Sequence, residues 1–135
     1  MTARFLLDSD ICINAVRKRN ASLRGLVQSI RSEGIAISVV TYGEVREGVI
    51  FSRTPVVDMA TWDGFVAGLD VIDLTMSIAD VWAELRGALR FQGNKLADAD
   101  LLIAATAMRF GMTLVSGNLR HFGRIAGLDL LVPDR

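Results

Sequence analysis

The sequence has little of several things, and each shortage excludes a class of protein. One cysteine, Cys12, allows no internal disulfide and fits a reducing compartment. One histidine, His121, leaves no matching set of nitrogen and sulfur donors for a zinc site. With only two prolines and 51% hydrophobic residues, the chain is not a disordered tail. No apolar run reaches the roughly 18 residues that a membrane-spanning helix requires. The start, MTARFLLDSD, lacks the long apolar region and small-residue cleavage site of a secretory signal. A cytoplasmic protein without membrane contact is therefore expected. Formal net charge is zero, so a polyanion could be held only by a local cluster of cations.

What the sequence does contain is a regular alternation. Short apolar runs at Phe5 to Leu7, Ile35 to Val39, Val71 to Leu74, Thr113 to Val115 and Leu130 to Val132 read as strands, separated by helix-length segments. That alternation predicts an α/β fold: a central, mainly parallel sheet of four to five strands with helices on both faces, three layers in all. After Ser77, Ile78, Val81, Trp82, Leu85 and Leu89 recur at helical spacing until Gly93. From Asp98 to Phe110 almost no polar face remains, so that helix is expected to be buried on most sides, with Gly111 as its stop. With no linker, repeat or low-complexity tract, residues 1–135 read as one domain.

The acids stand at the joints of this alternation. In parallel sheets the crevice beyond the carboxyl ends of the strands is where ligands bind. Asp8 follows the first strand directly and can project there, although Asp8 or Ser9 may equally serve only to cap the next helix. Thr41 and Glu44 have the spacing of a capping box; Glu44 also lies where its carboxylate can reach the same crevice. Asp98 has the location of an N-cap and Asp100 follows two residues later, on another side of the helix. The expected division is Asp98 capping and Asp100 facing the crevice. Ser116, Gly117 and Asn118 form the turn after the fourth strand and arrive at the same edge. His121 is expected on the short helix after that turn, at the surface or supporting another residue.

Carboxylates gathered from separate segments repel one another unless a cation is shared. Hard oxygen donors point to Mg²⁺ or Mn²⁺, and Mg²⁺ with a few carboxylates suits phosphoester hydrolysis.

The ordered set FLLDSDICI, ISVVTYGEV, ADADLLIAATA and TLVSGNLRHFGRIAGL resembles the PIN-domain ribonucleases, and within them the VapC-type toxins of bacterial toxin–antitoxin pairs. The likeness spans nearly the whole chain. It implies a Mg²⁺- or Mn²⁺-dependent endoribonuclease that cuts structured RNA, commonly tRNA or ribosomal RNA, to stop translation. It further implies homodimerisation and a cognate VapB-type antitoxin whose C-terminal segment blocks the site. Carried over by position, Asp8, Glu44 and Asp100 match the family's metal-binding acids, with Asp98 as an accessory. Two departures stand out. Asp8-Ser9-Asp10 replaces a common Asp-Thr-Asn, so Asp10 adds a carboxylate. Asn118 stands where many relatives carry a fourth acid; it can hydrogen-bond in the site but brings no charge. Asp10 and Ser116 are then accessory members, with Asp10 partly compensating for Asn118.

An RNA substrate needs cations around this acidic cleft. Candidates are Arg17, Lys18, Arg19, Arg86 and Arg120, with Arg90, Lys95 and Arg124 behind them, and Tyr42, Phe91 and Phe122 for base stacking. Leu23, Leu26, Val27 and Ile30 form a stripe that either joins the core or lines a partner groove. Two other readings stay open. An apolar strand followed by Asp-x-Asp also opens the aspartate-nucleophile phosphohydrolases, although the second half offers no convincing lysine with paired acids. A catalytically silent domain that only binds RNA or a partner is the other.

Overall fold

The three central strands in this protein owe their place to short runs of side chains that alternate between two cores. The computed structural model describes residues 3–17, 21–93 and 95–133. Strand β1 (Phe5–Leu7) lies at the centre, paired on one side with β2 (Ile35–Ser38) and on the other with β4 (Thr113–Val115). Outside these lie β3 (Asp70–Ile72) and β5 (Leu130–Leu131), giving the order β3-β2-β1-β4-β5 with every pairing parallel. Side chains along a strand point to opposite faces. Phe5, Leu7, Ile35, Ile37 and Val115 therefore face one core, and Leu6, Ala36, Ile72 and Leu114 face the other.

The first core is closed by α1 (Ser9–Arg17), α2 (Ala21–Ile30), α3 (Val39–Ile50) and α4 (Pro55–Val66), which contribute Ile11, Val27, Val45 and Trp62. The second is closed by α5 (Met76–Phe91) and α6 (Asp98–Arg109), with Phe122 of the short α7 (Leu119–Phe122). This is the three-layer α/β/α arrangement that the alternation predicts. Helix α6 is wrapped on most sides: Leu101, Ile103, Ala104, Ala105 and Ala107 are all buried. Each large aliphatic side chain so enclosed contributes about 1.5–3 kcal/mol. Gly93 (φ 72°) and Gly111 (φ 64°) follow α5 and α6 in the left-handed region that glycine adopts without strain.

Several helix starts differ from expectation. Val39 heads α3 rather than ending β2, because Ser38 takes an extended conformation and its Oγ accepts from the Val40 amide at 3.0 Å. No capping box joins Thr41 to Glu44: the cap lies three residues earlier, which moves Glu44 into the second turn. Thr75, not Ser77, caps α5 by accepting from the Ile78 amide. Ala97 occupies the N-cap of α6, so Asp98 is its first helical residue and makes no cap bond. Leu74 lies beyond β3 and is exposed. The stripe on α2 resolves as core, with Leu23, Val27 and Ile30 buried beneath the sheet's flank.

Candidate active site

Strand order reverses at β1: the chain moves outward to β2 and β3, then returns to place β4 on the other side. Such a switch point opens a crevice beyond the strand ends. Asp8 sits on its floor. The Asp8 amide donates to the Val115 carbonyl at 2.9 Å, prolonging the β1–β4 ladder by one residue, and its carbonyl accepts from the Cys12 amide as α1 begins. The backbone thus starts the helix while the side chain turns toward Ser116.

Asp8 is only 5% exposed. Ser116, wholly buried, donates from Oγ to Asp8 Oδ2 at 2.7 Å. The Asp8 carboxyl is pushed up from 3.8 to about 7, first by burial and then by the neighbouring Asp10 charge, against the opposing pull of the Ser116 and Ser9 hydrogen bonds. Asp10 turns back to the same place: its Oδ2 accepts from the Gly117 amide at 3.1 Å, while its Oδ1 is buried with no hydrogen-bond partner. The approach is close enough that a Cβ on Gly117 would fall 2.9 Å from Asp10 Oδ2, so any side chain there would displace the Asp10 carboxylate. Cys12, fully buried beneath the pair, has its thiol held well above the ordinary value by burial and then by the two acids. It is not a nucleophile.

Two arms extend from this centre. On one, Ser9 Oγ donates to Glu44 Oε1 at 2.6 Å and lies 3.2 Å from Thr41 Oγ1, which ties Glu44 of α3 to the residue that follows Asp8. On the other, Ser116 Oγ accepts from the Asn118 amide at 2.9 Å, and Asn118 Oδ1 caps α7 by accepting from the His121 amide. His121 Nδ1 lies 2.8 Å from Asn118 Nδ2 and 3.0 Å from Asp100 Oδ2. A ring nitrogen either accepts from the amide or donates to the carboxylate, so Nδ1 serves one of these partners at a time. Through this chain Asp8, Ser116, Asn118, His121 and Asp100 form one network.

The three acids expected to share a metal, Asp8, Glu44 and Asp100, instead each face a hydroxyl or ring donor of their own: Ser116, Ser9 and His121. Among the described residues no three His, Cys, Asp or Glu side chains are placed to hold one metal ion. Mutual repulsion between carboxylates explains why each is drawn to a separate partner. Asp98 does not join them: more than half exposed, it pairs with Arg86 Nε at 3.3 Å on another side of α6.

Of the proposed cations, Arg120 is exposed on α7, between Asn118 and His121 in sequence. Arg17 ends α1, about 12 Å along the helix from Asp8 by helical rise, and lines a groove with Phe51 and Arg53 instead. Lys18 and Arg19 lie outside the described residues. Phe122 is buried in the core and has no face for a base. Lys95, the one described lysine, lines a cavity with Arg86, Arg90 and Asp98. Sequence reasoning gave Ser9 only a capping part and set His121 at the margin. The adjacency of Ser9 to Asp8, and the three-residue step from Asn118 to His121, were the signals available.

The PIN domain family matches residues 5–128. The chain is 33% identical over 125 residues to the tRNA(fMet)-specific endonuclease VapC of Shigella flexneri, covering 93% of this chain and 94% of that protein. It is 32% identical over 127 residues to ribonuclease VapC2 of Rickettsia felis, covering 93% and 95%. Among solved structures, it superposes with a TM-score of 0.90 and 30% identity on a chain of VapBC2 from Rickettsia felis bound to a DNA fragment from their promoter, covering 96% and 98%. DNA-bound VapBC from Salmonella typhimurium follows at 0.89 and 28%, with the same coverage.

Proposed function

The chain belongs to the PIN-domain family, among the VapC ribonucleases, and from that premise we propose that it is a metal-dependent endoribonuclease toxin. It hydrolyses phosphodiester bonds in structured RNA, tRNA or ribosomal RNA, so that translation stops, and a cognate VapB-type antitoxin neutralises it. The observation that carries this reading is the buried Asp8 beside half-buried Asp10 at the switch point of the sheet, linked through Ser9 to Glu44 and through Ser116, Asn118 and His121 to Asp100.

A divalent cation fits these residues. Asp10 Oδ1 is buried and unpartnered, and Asp8 is a carboxylate whose burial disfavours its charge; both are costs that a cation relieves. The donors are hard oxygens, and Mg²⁺ commonly takes only one or two carboxylates, its remaining positions going to water and phosphate. Asp8 and Asp10 would hold the ion, with Asp100 and Glu44 flanking it. When bound, Mg²⁺ or Mn²⁺ supplies positive charge against the phosphate and lowers the pKa of water.

The protein's own part is placement. Ser116 fixes Asp8 Oδ2, Ser9 fixes Glu44, and His121, whose amide is held by Asn118 Oδ1, meets Asp100, so the acids enter the reaction already oriented. Arg120, exposed on the turn of helix beside them, is available to the RNA backbone. For the antitoxin, exposed Phe51 and Val57 border a groove of about 540 Å³ that also carries Arg17, Arg53 and Asp58, a mixed polar and apolar seat for an inserted segment.

Total tRNA and ribosomal RNA incubated with the protein, in Mg²⁺, Mn²⁺ or EDTA, provide the test. Discrete fragments are expected from the parent with metal and none from Asp8→Ala. Equal cleavage by Asp8→Ala, or undiminished cleavage in EDTA, would refute the proposal.

A further inference from the structure

A second cavity, of about 220 Å³, opens between α5 and α6 and is lined by Arg86, Arg90, Lys95 and Asp98 over an apolar floor of Leu89 and Leu101. We infer that it docks the phosphodiester backbone of the RNA strand beside the cut. This rests on the nuclease reading above and adds to it a subsite that the acids do not supply.

Charge argues first. The whole chain is neutral, yet this cavity sets three cations against one carboxylate. The crevice next to it holds Asp8, Asp10, Glu44 and Asp100, which repel a polyanion. A phosphate can be kept near such a crevice only if cations lie close by. Arg90 and Lys95 make no ion pair among the described residues and are exposed. Arg86 is already positioned: its guanidinium lies over the Trp82 ring, 5.2 Å from the centroid, and its Nε meets Asp98 Oδ1 at 3.3 Å. Asp98 thereby acts as the orienting partner of an arginine.

Size and location argue next. Sites for whole small molecules measure about 300–1,000 Å³, so this one suits a phosphate and its ribose rather than a free nucleotide. Guanidinium groups match phosphate oxygens in pairs, and the leucine floor accepts the apolar side of a sugar. Asp98 faces the cavity, whereas Asp100, on the same first turn, meets His121. The cavity and the acids thus flank one helix, about 10–12 Å across with its side chains. A strand cut at the acids covers that distance within a few nucleotides.

The test measures binding of a short fluorescein-labelled single-stranded RNA in EDTA, where no cleavage occurs, across a range of KCl. Each phosphate contact in a single strand adds about 0.7 to the slope of log affinity against log salt. The full-length variant Arg90→Ala/Lys95→Ala is expected to have a slope shallower by about 1.4. Between 50 and 200 mM salt, the parent then loses about 7-fold more affinity than the variant. Arg90→Lys/Lys95→Arg should restore the parental slope. Arg31→Ala/Arg109→Ala, which removes the same charge at helix ends remote from the acids, should leave it unchanged. Arg90→Gln/Lys95→Gln serves if the alanine pair does not fold. An unchanged slope in the Arg90/Lys95 variants, while the parent binds and cleaves RNA, overturns the cavity alone. A parent that neither binds nor cleaves RNA overturns the nuclease reading with it.

Discussion

Replacing Asp8 with asparagine is expected to stabilise the protein at pH 8 when divalent cations are removed. Asp8 is buried beside Asp10, and folding raises its pKa from 3.8 to about 7. Because the folded value is the higher one, its contribution to stability is intact below pH 3.8 and is lost as the pH rises through about 7. Each pH unit crossed is worth about 1.4 kcal/mol, so ionising Asp8 costs up to about 4 kcal/mol. Asparagine has nearly the same shape, can accept from Ser116 through its carbonyl, and can turn its amide toward the Asp10 carboxylate. It carries no charge to bury. Urea unfolding followed by the fluorescence of Trp62 and Trp82, in EDTA from pH 4.5 to 8, reads the difference directly. The variant should exceed the parent by about 2–4 kcal/mol at pH 8, roughly 10 °C in Tm, and the gap should close toward pH 4.5. Adding Mg²⁺ should raise the parent and leave the variant nearly unmoved. A variant less stable than the parent at pH 8, or a gap that does not depend on pH, refutes the reasoning.

Other changes give sharp expectations. Ser116→Ala removes the hydroxyl that donates to Asp8 and accepts from Asn118; it should cost about 1–3 kcal/mol in chemical denaturation and lower the rate of RNA cleavage. Ser38→Ala deletes the cap of α3 and should cost about 1 kcal/mol, with the loss recovered in Ser38→Asp. Cys12, fully buried with its thiol pKa raised, should resist a thiol reagent in the native state and react on unfolding; rapid native labelling would contradict its placement.

Much of the fold could be read before any coordinates, for physical reasons. The runs at Phe5 to Leu7 and Thr113 to Val115 are buried on both faces, and such strands show as unbroken apolar stretches. Gly93 and Gly111 mark helix ends because left-handed backbone favours glycine. The start of α3 was misread because Val39, Val40 and Thr41 are β-branched, and only the conformation of Ser38 turns them into a helix. Asp8 was legible as a residue at a strand end. Its link to Ser116, the pairing of Asp98 with Arg86 and the place of His121 beside Asp100 were not, since each joins segments whose contact depends on tertiary packing.

The strand order has a temporal meaning. Asp8 precedes by 108 positions the hydroxyl that holds it, which follows a strand lying on the side of β1 opposite to β2 and β3. A chain in which β4 has not yet docked therefore holds Asp8 without the hydroxyl that aligns it.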